Sequence, residues 1–356
     1  DYTKAIENRG IAKYELKDFA GAITDLSALK TAGKAQKETL LYLGVSLYKT
    51  ADYPATIVAI DEAMMKGSKD KLAYYARGNA KYFEKDYEGA VKDLDQSIEM
   101  GEMDMQTWYS RGTSKYQLED YNGSLYDLDR AIEMGATDAM IDHHRGHAKY
   151  ETKDWDGAMS DLDKAISTDS KYGSAYYHRG NTKFRAKSYE SAISDYSQAI
   201  SNGINTPLVY NNRGKANQRL EKYEASIPDF SKAIALDEAY TKAYENRGAT
   251  YYELKQYAEA VKDFSAYEKL EEKPDPEIFF NRAEVHTALE QDQLAATYYD
   301  KAIEGGIKTL ESYYHRGLVL IKIDAYEDAV IDFEEALKIK KDGPIFLAKA
   351  RANISL

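Results

Sequence analysis

Four of the six histidines in this 356-residue chain lie close together: His143, His144, His147 and His178. His143 and His147 are spaced i, i+4, which puts both rings on one face of a helix. The imidazoles of His143, His147 and His178 form a donor set suited to a divalent, zinc-like metal ion. Charged near pH 6, the same rings would instead grip a carboxylate. In a third reading they are polar packing residues. Aspartates recur as Asp-x-Asp at 93/95, 127/129 and 161/163, but without the glycine turn and closing glutamate that a calcium loop needs. The sequence contains no Gly-x-Gly, Gly-Lys-Ser/Thr, Gly-x-Ser-x-Gly or His-Glu-x-x-His. The local signatures of dinucleotide, phosphate-loop, serine-hydrolase and zinc-protease chemistry are therefore missing. The expectation is a chain that is not an enzyme and needs no cofactor, with a divalent metal at the histidines as the alternative.

Composition narrows the partners. A formal charge of −12 argues against nucleic acid, which needs a basic stripe. No apolar run approaches the ~20 residues of a membrane span, so membrane insertion is not expected. There is no cysteine, which excludes disulfides and thiolate chemistry. That lack, with no initiator methionine or signal-like segment at Asp1, favours a periplasmic or cell-surface setting over a cytoplasmic one. Either a targeting peptide was removed or the chain is part of a longer one.

The elements that must position these residues show themselves as a repeat. Arg-Gly occurs at 9/10, 77/78, 111/112, 145/146, 179/180, 213/214, 247/248 and 316/317, with Gly44 and Ala283 filling the gaps. Successive spacings are 34 residues, with one of 35 before Ala283. With this glycine as position 8, ten units begin at Thr3, Lys37, Lys71, Met105, Ala139, Gly173, Pro207, Thr241, Pro276 and Leu310. Position 20 is small (Ala22, Ala90, Ala158), position 27 is mostly alanine and position 17 is usually aromatic. Small residues at 8 and 20 let two helices of one unit cross closely, while larger ones fill the groove against the next unit. Gly33, Gly67, Gly101, Gly135 and Gly203 fall at position 31, where a helix C-cap takes positive φ. Pro54, Pro207, Pro276 and Pro344 suit first-turn positions. Position 7 is arginine in nine units and position 23 aspartate in eight; the unit lacking the arginine (Leu43) also lacks the aspartate (Ala59). This joint absence points to an arginine–carboxylate ladder between neighbouring helices.

In this period and pattern the chain, over Thr3 to Gly343, resembles the tetratricopeptide repeat family. The resemblance implies an all-α, right-handed α-solenoid, or superhelix, of tandem helix-turn-helix units, with helix A of each lining a concave groove. It implies a scaffold or adaptor for protein or extended-peptide partners, within a larger assembly or alone, and no single function. The extra residue and the prolines at 274 and 276 suggest repeats 1–8 over residues 1–275, repeats 9–10 over 276–343 and a capping helix over 344–356. Alternatives are a metal- or carboxylate-binding module at the histidines, or assembly through the convex face.

In such a groove, helix A positions 2, 5, 6, 9, 12 and 13 would face the partner. Position 6 reads Asn8, Tyr42, Ala76, Ser110, His144, His178, Asn212, Asn246, Asn281 and His315. The Asn/His row resembles the asparagine ladder of O-GlcNAc transferase, whose amides hold a peptide backbone. It would equally serve as a set of hydrogen bonds between adjacent units. The expected contact residues are Tyr75, Tyr82, Tyr109, Tyr116, Tyr150 and Tyr177, as rigid rings, with Asn181, Asn212, Lys242, Asn246 and Asn281. A carboxylate clamp of the chaperone-binding kind is matched by Asn181, Asn212 and Lys242, but Tyr177 and Asn246 replace its other two cations.

Overall fold

The computed structural model describes residues 2–355. Among the described residues there are twenty-one α-helices and no strand, from Tyr2–Glu15 to Gly343–Ser355. Two helices, A and B, make each repeat; the fourth, for example, pairs Met105–Gln117 with Tyr121–Glu133. The chain divides into two compact units, Asp1–Thr182 and Lys183–Leu356, and the proline-bearing linker lies within the second. In each unit, A and B helices of one repeat pack together and successive hairpins stack, so each unit is a stretch of α-solenoid.

The close crossing of A on B is visible at Gly214. A Cβ there would stand 2.7 Å from Cε1 of Phe230, the position-24 ring, which is wholly buried. Leu26, Ile60, Leu94, Leu128 and Phe333 stand against the position-8 glycines of their own repeats in the same way. Alanine is accommodated once, at Ala283.

The turn from A to B holds a feature the composition conceals. At position 15 the backbone is left-handed in every repeat, yet Lys17, Lys85, Glu119, Lys153 and their counterparts are not glycine. The amide of Lys17 reaches Tyr14 O and that of Asp18 reaches Lys13 O, a Schellman closure that satisfies the last carbonyls of helix A. Position-31 glycines take positive φ as expected, and Pro54, Pro207 and Pro276 occupy first-turn positions.

The starts of the B helices differ between the units. Asp18, Asp52, Asp86, Asp120 and Asp154 each accept the amide three residues on. Ser188, Lys222, Gln256, Gln291 and Ala325, at the same position, make no such bond. Lys222 has φ −85°, ψ 62°, close to Asp52 at −90°, 77°, and both precede an alanine at the third helical residue. Lys222→Asp should therefore gain about 0.5–1 kcal/mol, read as a higher denaturant midpoint for the second unit.

The expected ladder exists and reaches further than one repeat. Arg111 binds Asp127 through Nε at 2.8 Å and Nη2 at 2.6 Å, and Nη1 turns to Asp95 of the previous repeat at 2.7 Å. Arg77 links Asp93 with Asp61, and Arg316 links Asp332 with Asp300, in the same manner. The Asp-x-Asp pairs are thereby explained: one carboxylate serves its own arginine and the other the next. A third member, not expected from the sequence, is the position-11 lysine. Lys115 binds Asp127 at 2.9 Å, and Lys13, Lys81 and Lys149 do likewise at Asp25, Asp93 and Asp161. Hydrogen bonds from Arg9, then Lys13, hold Asp25 at about 2 against the opposing effect of burial. That stabilisation is present above pH ~4 and lost as pH falls through about 2. At Arg282, where aspartate is missing, the guanidinium lies 4.3 Å from the Tyr298 ring centroid and pairs with Glu268.

Candidate partner-binding groove

The A helices of the first unit carry a chain of aromatic rings. Position-12 rings meet position-17 rings of their own repeat, as Tyr48 with Tyr53 and Tyr150 with Trp155. They also meet position 5 of the next: Tyr48 with Tyr75 at 5.5 Å and Tyr82 with Tyr109 at 6.4 Å, both edge-on. Tyr75 is 5% exposed, so its ring serves packing. Tyr82 and Tyr109 are half-buried and open onto a cleft of about 480 Å³ whose wall includes Phe83, Met105, Asp138 and Met140. Phe83 is 41% exposed and stacked on Tyr53 at 4.3 Å, which fixes its ring. Asp138 caps the helix Ala139–Glu151 through the Ile141 amide at 2.8 Å. Burial, with Tyr82 and Asp138 nearby, pushes the Tyr109 hydroxyl far above its ordinary value, so it stays a neutral donor.

Phe83, Met105, Asp138 and Met140 were not among the expected contacts. Phe83 and Met140 sit at positions 13 and 2, which were expected to face the partner although neither residue was named, and Met105 and Asp138 sit at positions 1 and 34. A usable signal was the aspartate recurring at position 34 as Asp70, Asp104 and Asp138.

The position-6 row is not an open ladder. Ala76, Ser110 and His144 are 0%, 0% and 5% exposed. Asn246 spends its amide on Asn211 Oδ1 at 2.9 Å, and His315 meets Glu284 at 2.6 Å. These are bonds between adjacent repeats. Asn181, Asn212 and Asn281 are half-buried, and Lys242 is exposed, with its ammonium 2.7 Å from Glu245. Tyr177 packs against His178 at 5.0 Å.

The histidines do come together. The ring centroids of His147 and His178 are 3.8 Å apart, and those of His143 and His178 5.0 Å. The rings lie tilted against one another, at 53° for His143 with His178 and 40° for His147 with His178. The Tyr116 hydroxyl meets His147 Nδ1 at 2.7 Å, and Tyr116 lies over His144 at 4.1 Å. Tyr172 reaches His143 Nδ1 at 3.3 Å, while His147 Nε2 faces Glu151 at 3.3 Å. Among the described residues no three His, Cys, Asp or Glu are placed to hold a metal ion, so these rings do not fit one as they stand.

Nor are the rings poised to charge near pH 6. Burial pushes His143 and His178 well below the usual imidazole value, and His144 to about 4. His143 Nε2, His144 Nδ1 and His178 Nδ1 are buried without hydrogen-bond partners. A depressed imidazole gives stability that is present above pH ~6.5 and lost as pH falls toward 4. The first unit should weaken over that window, measured as urea midpoints of the full chain. His178→Phe should flatten the slope; an unchanged slope would contradict the buried, neutral state.

Comparison with known proteins agrees with the hairpins. A family model described as tetratricopeptide repeat matches residues 211–275 and 250–308, and a second with the same description matches 173–202 and 310–342. No curated protein matches the chain. Among solved structures, YrrB, titled a tetratricopeptide repeat protein with an unusual peptide-binding site, is 23% identical, covering 52% of this chain and 95% of its own, with a TM-score of 0.48. A tetratricopeptide repeat protein from Parabacteroides merdae is 16% identical, covering 70% and 98%, at 0.49. The Cut9–Hcn1 hetero-tetramer is 13% identical, covering 98% and 76%, at 0.48. No helix of the described residues is long and apolar enough to cross a membrane. Residues 173–202, 211–308 and 310–342 are tetratricopeptide repeats by these matches, and the same period, paired helices and small residues at the crossings run through the first unit.

Proposed function

We propose that the chain is a non-catalytic scaffold that holds a protein or extended peptide against the A-helix face of its first unit. Tetratricopeptide repeats generally mediate protein–protein interaction, and the observation that carries the reading here is the cleft between Tyr82, Phe83 and Tyr109. Its rings are held by Tyr53 and by one another, so binding costs little ordering of side chains. Aromatic and methionine side chains around a concave surface are the composition of interface cores. Asn181 extends this reading as a secondary position on the same unit, and Asn212, Lys242 and Asn281 are proposed as separate contacts on the second unit.

The test is capture from native extract by the full chain, by Tyr82→Ala/Tyr109→Ala, and by Val58→Glu/Ile331→Glu, which alters exposed B-helix residues. Partners retained by the B-helix variant and lost by the tyrosine variant support the groove. Partners lost only by the B-helix variant would move binding to the other face.

A further inference from the structure

Two successive repeats place the same aromatic pair but differ in what lies over it. In the second and third repeats Tyr48 meets Tyr75 edge-on, at an interplanar angle of 86°. The ammonium of Lys49 stands 5.3 Å from one ring centroid and 5.4 Å from the other. One repeat on, Tyr82 meets Tyr109 at 87°, and the residue equivalent to Lys49 is Phe83. The chain's own cation is thus replaced by a third ring. No lysine or arginine lines the resulting cleft, whereas the carboxylate of Asp138 does.

We propose that this cleft takes a lysine or arginine side chain of a partner peptide, flanked by apolar residues that lie against Met105 and Met140. The inference rests on the groove reading above and names its chemistry. Ring faces attract a cation through their quadrupoles, and Asp138 supplies the opposite charge at the cleft edge. The alkyl stem of a lysine or arginine suits the thioethers, since such side chains bury the stem and leave the charge at a polar end. The overall charge of −12 draws basic segments to the surface.

The experiment is calorimetric titration of the full chain with the acetylated, amidated peptide Ala-Leu-Lys-Leu-Ala and with the same peptide carrying norleucine for lysine. The lysine peptide should bind about tenfold more tightly. Asp138→Asn, which keeps an N-cap side chain, should remove most of that preference. Phe83→Lys, which restores the arrangement of the preceding repeat, should abolish binding of the lysine peptide; an unchanged denaturation midpoint would show that it folds. Equal affinity for the two peptides, or no saturable binding of either, overturns the inference. Equal affinity leaves partner capture through Tyr82 and Tyr109 standing, so the two readings fail separately.

Discussion

Asp127→Ala is expected to destabilise the first unit by about 3–5 kcal/mol, more than any other single change on the ladder. Asp127 is wholly buried, the Arg111 side chain is 10% exposed and Lys115 17%. Removing the carboxylate takes the partner from Nε and Nη2 of a largely buried guanidinium, with Asp95 still on Nη1, and leaves the Lys115 ammonium facing it. The second repeat shows how to remove the network without that cost. There positions 7, 11 and 23 are Leu43, Leu47 and Ala59, and all three belong to one apolar cluster with Leu26. Arg111→Leu/Lys115→Leu/Asp127→Ala should therefore recover most of the loss, because a well-packed apolar set often equals a buried ion network. Hydrogen exchange over residues 105–133 with denaturant midpoints would check both. A triple variant no better than the single one would mean that the charges stabilise beyond satisfying each other.

Phe230→Ala is expected to cost about 3–5 kcal/mol in the second unit, as a large ring leaves a cavity that rigid helices fill only in part. The ring is wholly buried and lies against the bare backbone of Gly214. Gly214→Ala probes the same contact from the other side. A methyl 2.7 Å from Cε1 forces a shift costing about 1–3 kcal/mol, offset by about 1 kcal/mol of helix propensity. The net loss should be smaller than that of Phe230→Ala. A stabilised Gly214→Ala would show that the hairpin yields freely. Midpoints for the two units, taken separately because stacked repeats need not unfold together, distinguish these outcomes.

Helices, repeat boundaries and the ladder were legible in the sequence because each depends on a residue type that little else can replace. Only a very small residue fits at Gly214 or Ala22, and only an arginine fork matches a carboxylate with two bonds while a third donor turns elsewhere. The proposed binding face was less legible. Tyr75 and Tyr109 both occupy position 5, yet the first is buried beneath Tyr48 and Lys49 and the second is half-buried on the cleft beside Phe83. That difference rests on position 13, which has no fixed residue type. The histidines illustrate the same limit: their spacing showed that they would meet. Burial by Tyr116 and Tyr172, which sets their charge, comes from segments about 30 residues away.

The left-handed residue at each A-to-B turn leaves room for engineering. Lys85, Glu119 and Lys153 hold φ between 62° and 69°, a region that costs a residue with a Cβ about 1–2 kcal/mol. The ladder adds a constraint of another kind. Since Arg77, Arg111, Arg145, Arg179 and Arg316 each reach a carboxylate of the preceding repeat, excising a whole 34-residue block lets Arg145 find Asp95 where Asp129 had been, and the charges there remain matched. A deletion of any other length leaves guanidinium and carboxylate facing the wrong neighbours. Where such a pair spans a junction, changes in array length through recombination would then be favoured in multiples of one module, proofread by the electrostatics of that pair.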